Sequence, residues 1–330
     1  MASAYTGNIA QQLLINPISE GADRLCILSH AATPSMASWL LKTYEEQELE
    51  GISVELIVTF GEDQAIPSVL ENYHNGFKEL QKAFRQGPGT VNSFSCSYNT
   101  GRAIPKRNSY IWLCGETPVK AFSCSYDFTQ QSILRNGSGS ITDSNPTSAY
   151  SRFEKAVDDS IYCDNSEVEE YVVITETPMP VMADLPENDK NLIKLSLVTE
   201  RTGEPGTKSG LNWGQRARRN PNEAYIPLPR KIALSGFFPL NKQHFLVVTD
   251  DHHALQLRVE QQNDKAITTP ASNAQLGEYF RNRLGLANGA QVTRADLEAY
   301  GRSDVSFYKI DDEQYYMDFS VAVGRRRRNG

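Results

Sequence analysis

The run Lys208-Ser209-Gly210-Leu211-Asn212-Trp213-Gly214-Gln215-Arg216-Ala217-Arg218-Arg219-Asn220-Pro221-Asn222-Glu223-Ala224-Tyr225-Ile226-Pro227 stands apart from the rest of the chain. Glycines break it, so no regular helix is expected there. It holds three arginines, three asparagines, one glutamine and one tryptophan, and then enters the apolar Ala-Tyr-Ile-Pro-Leu-Pro. That composition suits an arm laid along a polyanion. Guanidinium groups meet phosphates and guanine edges, amides meet adenine edges, and glycines let the backbone come close. The expected nucleic-acid contacts are Lys208, Asn212, Trp213, Gln215, Arg216, Arg218, Arg219 and Asn222. A solvated basic loop is the bland alternative, but it needs neither the amides nor the tryptophan.

Around this arm the second half of the chain alternates short apolar runs with turns. Ile193, Leu195 and Leu197 alternate, and Lys231–Leu234, Phe237–Pro239, His244–Asp251 and Ala254–Gln261 form a further series of short strands. Asp250-Asp251-His252-His253 is the turn of a hairpin. Its two histidines look like metal ligands, but neighbouring strand residues point apart, so a polar turn is expected. Gln275–Leu286 has helical spacing with Leu276, Tyr279, Phe280 and Leu284 on one face. Thr293 with Asp296 three residues on reads as a helix start, and Gly301 as its end. Val305–Ile310 and Gln314–Val321 close a small, mostly-β barrel.

The first half has a different rhythm. Arg24–Ser29 is a buried strand that ends at His30, and Ser35–Tyr44 follows at helical spacing. Ile52–Phe60 is a second strand, and Ser68 stands where it caps the next helix, which carries His74. Strand, helix, strand, helix implies a largely parallel sheet. Thr90–Tyr98, Ser109–Leu113 and Val119–Tyr126 are further strands, and Phe-Ser-Cys-Ser-Tyr occurs at both 94–98 and 122–126. Ser148–Ile161 reads as an amphipathic helix and Glu170–Thr175 as a last strand. The Pro-rich and polar stretch 177–190 is a linker, so residues 1–176 and 191–330 are taken as two domains.

Composition bounds the partners. A net charge of -7 over 330 residues argues against a generic polyanion binder, so nucleic acid must be met by local basic patches. The tail Arg325–Arg328 is a second such patch, read as a mobile arm or a cloning remnant. No apolar run spans a bilayer and the N-terminus lacks signal-peptide character, so no membrane partner and a cytoplasmic location are expected. The five cysteines, Cys26, Cys96, Cys114, Cys124 and Cys163, include no Cys-x-x-Cys pair and read as reduced thiols. With no Asp…Glu-x-Lys strand pair and no well-spaced ligand cluster, neither a metal nor another cofactor is expected.

Two resemblances rest on these segments. Ile104-Pro105-Lys106-Arg107-Asn108-Ser109-Tyr110-Ile111-Trp112-Leu113, followed by Ala121–Thr129, resembles the phospholipase-D-fold nuclease domain of certain type II restriction endonucleases. That family carries His-x-Lys before a Tyr-x-Trp strand and then Gly-Ser-x-Asn. Its histidine attacks phosphorus, while the lysine and asparagine hold the oxygens, without metal. Here Lys106 stands at the histidine position, Asn108 at the lysine, Cys124 at the glycine and Asp127 at the asparagine; Ser125 is kept. An ammonium ion has no lone pair with which to attack, and a carboxylate has the wrong sign beside a phosphate. The candidate catalytic set is therefore Lys106, Asn108, Ser125 and Asp127, with His30 as a substitute nucleophile at a strand end.

Segments Ser209–Pro229, Gly277–Arg281 and Tyr300–Val305 resemble the B3-like DNA-binding domain attached to the same enzymes. That resemblance implies a pseudobarrel gripping the major groove of double-stranded DNA with two arms. Lys208–Asn222 lies on or beside one of them, and Lys265 and Ser272-Asn273 are candidates for the other. The expected architecture is an α/β phospholipase-D-like domain followed by a mostly-β B3-like pseudobarrel. The implied function is sequence-specific binding and endonucleolytic cleavage of DNA in a bacterial restriction-modification system. The implied assembly is a homodimer through the N-terminal domain, with an ATPase or methyltransferase of the same system as a further partner. A subunit that has lost catalysis and binds DNA or assembles with a separate nuclease remains open beside it. A lipid phosphodiesterase would leave the amide-rich arm unused.

Overall fold

A computed structural model describes residues 8–61, 67–85, 91–101, 105–135, 139–186 and 188–321, so the arginine run at 325–328 lies outside the described residues. The chain divides into two compact units, 1–178 and 179–330.

The first unit contains β1 (Arg24–Ser29), β2 (Ser53–Val58), β3 (Ser68–Leu70), β4 (Ser93–Asn99), β5 (Asn108–Cys114), β6 (Thr117–Cys124), β7 (Ile141–Asp143), β8 (Ser160–Tyr162) and β9 (Val173–Thr175). Seven of them form one sheet in the order β7-β6-β5-β1-β2-β4-β8, and β3 pairs with β9 separately. The expectation of a largely parallel sheet is corrected here. Only β1, β2 and β4 run parallel, while β5, β6, β7 and β8 pair antiparallel. Helices Pro34–Glu46 and Glu71–Ala83 supply the long crossovers that parallel strands require. Only Gly115 and Glu116 separate β5 from β6, with Gly115 at φ 56°, and so tight a turn can only reverse the chain.

Alternation along the strands sorts side chains between two layers. Leu25, Ile27, Val54, Leu56, Phe94 and Cys96 face a core shared with those two helices. Cys26, Leu28 and Ile57 face the other side, covered by Ala149, Phe153 and Ala156 of helix Pro146–Asp158. Thr33 starts the first helix by accepting a hydrogen bond from the Met36 amide at 3.3 Å, with Pro34 in the first turn. Ser68 is not a cap; it opens β3, and the helix begins at Glu71 behind Leu70. The last segment is also more broken than expected, a helical turn Val168–Tyr171 preceding β9.

The second unit contains β10 (Leu192–Ser196), β11 (Ile226–Pro227), β12 (His244–Thr249), β13 (Ala254–Glu260), β14 (Ala266–Thr268), β15 (Asp304–Lys309) and β16 (Gln314–Asp318). Their order is β10-β15-β16-β12-β13-β14-β11, with β12 and β16 the one parallel pair among them. The sheet curls until its end strands β10 and β11 come together, which makes the barrel-like shape. Aromatic rings fill its inside. Phe238 lies 5.4, 5.2 and 5.3 Å from the rings of Phe245, Phe307 and Tyr315, and the Tyr315 hydroxyl donates to the Phe237 carbonyl at 2.6 Å. Helix Arg294–Tyr300 begins with the Thr293–Asp296 capping box and ends at Gly301, at φ 100°. Asp250–His253 forms the polar turn between β12 and β13, and Arg283 forks onto Asp250 at 2.9 and 2.7 Å. No group of three metal-ligating side chains occurs among the described residues.

Candidate nuclease centre and nucleic-acid interface

The first unit's sheet changes direction at β1, with β2 on one side and the antiparallel β5 on the other. Open α/β sheets place sites at the carboxyl end of such a strand. Here β1 ends at His30, next to Asn108 at the start of β5. Asn108 is buried, and its carboxamide oxygen accepts from the His30 backbone amide at 2.8 Å. Its amide nitrogen donates to Asp127 Oδ1 at 3.1 Å, and the same oxygen accepts from the Ala31 amide at 3.4 Å. Ser29 Oγ accepts from the Phe128 amide at 2.8 Å and donates to the Ala31 carbonyl at 2.6 Å. The structure thus brings His30, Asn108 and Asp127 together and stitches segment 29–33 to segment 126–128.

The polar groups of this cluster are turned to one another. A phosphate needs donors and cations aimed inward. Asn108 and Asp127 instead satisfy each other and the backbone. Lys106 points to solvent, with no side-chain partner among the described residues. Ser125 is exposed and its hydroxyl accepts from the Ser140 amide at 3.0 Å. Arg107 donates to the Ser140 carbonyl and hydroxyl at 3.1 and 2.7 Å. Burial pushes the Cys124 thiol up to about 11, which keeps it protonated and non-nucleophilic at neutral pH. His30 is half-buried, and its Nε2 lies 2.6 Å from the Pro105 carbonyl. A carbonyl can only accept, so Nε2 carries a hydrogen, and in the neutral ring the lone pair is then on Nδ1.

In the second unit the arm contains no α-helix. Gly210–Gln215 makes tight 3₁₀ turns, and Tyr225 returns to donate to the Gly210 carbonyl at 3.2 Å. Its amides turn inward. Asn212 is fully buried, donating to the Gly206 and Val292 carbonyls at 3.1 and 2.8 Å and accepting from the Val292 amide at 2.8 Å. Gln215 donates to the Gly289 carbonyl at 3.0 Å. Asn222 donates to Glu278 at 3.1 Å and accepts from the Gly289 amide at 2.6 Å. Asn212, Gln215 and Asn222, expected to read bases, thus have partners within the protein. Their hydrogen-bonding capacity goes into holding the arm against residues 286–292.

Arg281, which the sequence reading passed over, completes that scaffold. Its side chain is fully buried and donates to the carbonyls of Ala290, Gly277, Leu211 and Pro221 at 2.8, 3.2, 3.2 and 3.1 Å. Burial lowers its pKa, although Glu278 opposes the effect. Gly277, one turn earlier on the same helix, leaves room for the arm. A Cβ there would stand 1.7 Å from the Asn222 carbonyl oxygen and 2.8 Å from the Arg281 guanidinium. A glycine and an arginine spaced i, i+4 on a helix read as apolar were the signal available in the sequence.

The guanidinium groups of the arm remain outside. Arg216, Arg218 and Arg219 are exposed. Arg216 Nε donates to the Lys208 carbonyl at 2.8 Å, while the Lys208 ammonium extends into solvent. Arg219 lies 3.9 Å above the Trp213 ring and pairs with Glu223, and Trp213 meets Tyr225 edge-on at 5.6 Å. Trp213 is thus a platform for Arg219. Arg218 holds φ 66°, a conformation costing a non-glycine residue about 1–2 kcal/mol. Its side chain has no partner among the described residues. Lys265 is exposed just before β14, its carbonyl accepting from the Leu228 amide at 2.9 Å. Ser272 is occupied in capping helix Asn273–Arg283, and the Asn273 carbonyl receives the Ala224 amide at 3.1 Å.

The loop thus turns its amides inward and leaves its cations exposed, on the barrel-like sheet of the second unit. Comparison with known families gives the same division. A model described as the NgoFVII restriction endonuclease N-terminal PLD domain matches residues 7–170, and one described as the NgoFVII C-terminal B3-like DNA-binding domain matches residues 185–311. Together they take in nearly all of the chain, which belongs to the NgoFVII restriction endonuclease family. No curated protein matches it. No described helix is long and apolar enough to cross a membrane.

Replacing Arg281 by Met strips buried carbonyls of their donor and is expected to cost about 3 kcal/mol or more. Arg281→Lys recovers little, because an ammonium cannot span four diverging acceptors. Urea unfolding that shows Arg281→Met within 0.5 kcal/mol of wild type, a surface-residue value of roughly that size, would refute the scaffold role.

Proposed function

We propose that the chain is a sequence-reading DNA-binding protein of a restriction system, and that it does not cut DNA by the histidine–lysine chemistry of its family. The observation that carries this reading is the mutual satisfaction of Asn108 and Asp127, with Lys106 turned to solvent. Arg216, Arg218, Arg219 and Lys208 bind the duplex. Their exposure on a loop braced from within supports contacts both to phosphates and to base edges. Strand scission is then the work of a partner subunit, with the N-terminal unit serving assembly, including pairing with a second copy. Light scattering at micromolar concentration reports that pairing.

The second reading is endonucleolytic cleavage by this chain itself. The His30 ring, oriented by the Nε2 bond to the Pro105 carbonyl so that the neutral form presents Nδ1, favours it. Histidine would attack phosphorus and release the sugar oxygen, and water would then cleave the phosphohistidine.

Arg218→Ala with Arg219→Ala is expected to weaken duplex binding and to flatten its dependence on salt by about one to two units of log–log slope. Binding titrations from low to high salt check this; an unchanged affinity and slope remove these arginines from the interface. Incubation with large mixed-sequence DNA, with and without magnesium, decides the chemistry. The expected result is no discrete fragments from wild type and discrete fragments from Lys106→His/Asn108→Lys. Fragments from wild type that vanish in His30→Ala establish the second reading instead.

A further inference from the structure

The arm is only part of a larger rigid body. Residues 286–292 are bound to it at four points. Gln215 and Asn222 hold the two sides of the Gly289 peptide, Asn212 holds both backbone groups of Val292, and Arg281 holds Ala290. The Ala290 amide donates to the Ala287 carbonyl at 3.1 Å, closing a turn with Asn288 and Gly289 at its corners. Gly289 has φ 79°, the value a type II turn requires at its second corner. A Cβ on Gly289 would lie 3.1 Å from Pro221, so this turn is pressed against the end of the arginine tip.

Glycine at 289 is required by the turn, whereas asparagine at 288 suits a turn but is not required by it. The first corner of a type II turn favours proline and makes no demand on an amide. Asn288 is exposed, its φ is negative, and its carboxamide has no partner among the described residues. The arm's inward-turned amides have left it short of amides for reading adenine. Asn220 contributes one, but its oxygen already accepts from the Asn222 amide at 2.9 Å. Asn288 presents a whole carboxamide, donor and acceptor together, the pair that matches adenine N6 and N7 in the major groove.

We infer that the Asn288–Gly289 turn is a second part of the DNA-reading surface and that Asn288 is a base-contacting, specificity-determining residue. This inference rests on the DNA-reading function proposed above. It assigns the arginine tip to phosphates and guanine and the neighbouring turn to adenine, both on one braced platform.

The test uses the full chain. Selection from a pool of random duplexes fixes the recognition sequence with wild type. Competition binding then compares that duplex with every single-base variant for wild type, Asn288→Ala and Arg218→Ala. Asn288→Ala is expected to lose about 5- to 100-fold of discrimination at one A·T pair. Its affinity for unrelated DNA, its salt slope and its melting temperature are expected to stay at wild-type values, because the amide has no internal partner to lose. Wild-type discrimination at every position in Asn288→Ala overturns the inference. If Arg218→Ala weakens binding in that same experiment, the DNA reading stands and only the turn's part in it falls. If neither variant changes binding, or the pool yields no enriched sequence, both fall.

Discussion

The guanidinium of Arg281, buried and bonded to four carbonyl oxygens, is the interaction on which the second unit's surface depends. Two of those carbonyls belong to the arm, one to the facing loop and one to the helix that carries Arg281 itself. An ammonium or an amide could not reach all four, because only the planar fork spreads its donors across such an angle. Desolvating a charge without a counter-ion is costly, and the four acceptors offset that cost only while every segment stays in place. Arm, loop and helix are therefore bound as one body. Gly277 is part of the same arrangement, since any side chain there would push the arm away from the acceptor geometry.

In the first unit a small polar cluster ties the end of β1 to the segment that follows β6. Asn108 and Asp127 are short polar groups of complementary hydrogen-bonding character, and they close on each other and on the backbone of residues 30 and 31. The neutral amide stays inside and fastens the β1 end to the 126–128 segment. These bonds make the cluster a structural joint. The nearby cations of Lys106 and Arg107 lie on the surface instead of converging.

Much of this was legible in the sequence, for identifiable reasons. Short apolar runs marked β1, β2 and β12, and the Thr293–Asp296 box and Gly301 marked a helix to the residue. The capping prediction at Ser68 failed because the chain there enters a short strand first. The parallel sheet was over-extended because the two-residue turn at Gly115 was not weighed against the βαβ rhythm before it. His30, Asn108 and Asp127 are distant in sequence and adjacent in space, and resemblance alone joined the last two. Within the arm the amides are turned inward, which composition does not reveal. Composition reports which side chains are present; it cannot tell an amide that reads a base from one that holds a backbone. That difference is set by residues 277–292, some 70 positions away from the arm.

Amide hydrogen exchange on the full chain, comparing wild type with Arg281→Met, tests the claim that arm and loop form one body. The diagnostic amides are Gly214, Tyr225, Gly289 and Val292, whose acceptors all lie within that body. The account predicts that all four lose protection together in the variant while β12 and β15 keep theirs. Loss of protection confined to the arm, with Gly289 and Val292 unchanged, would contradict it.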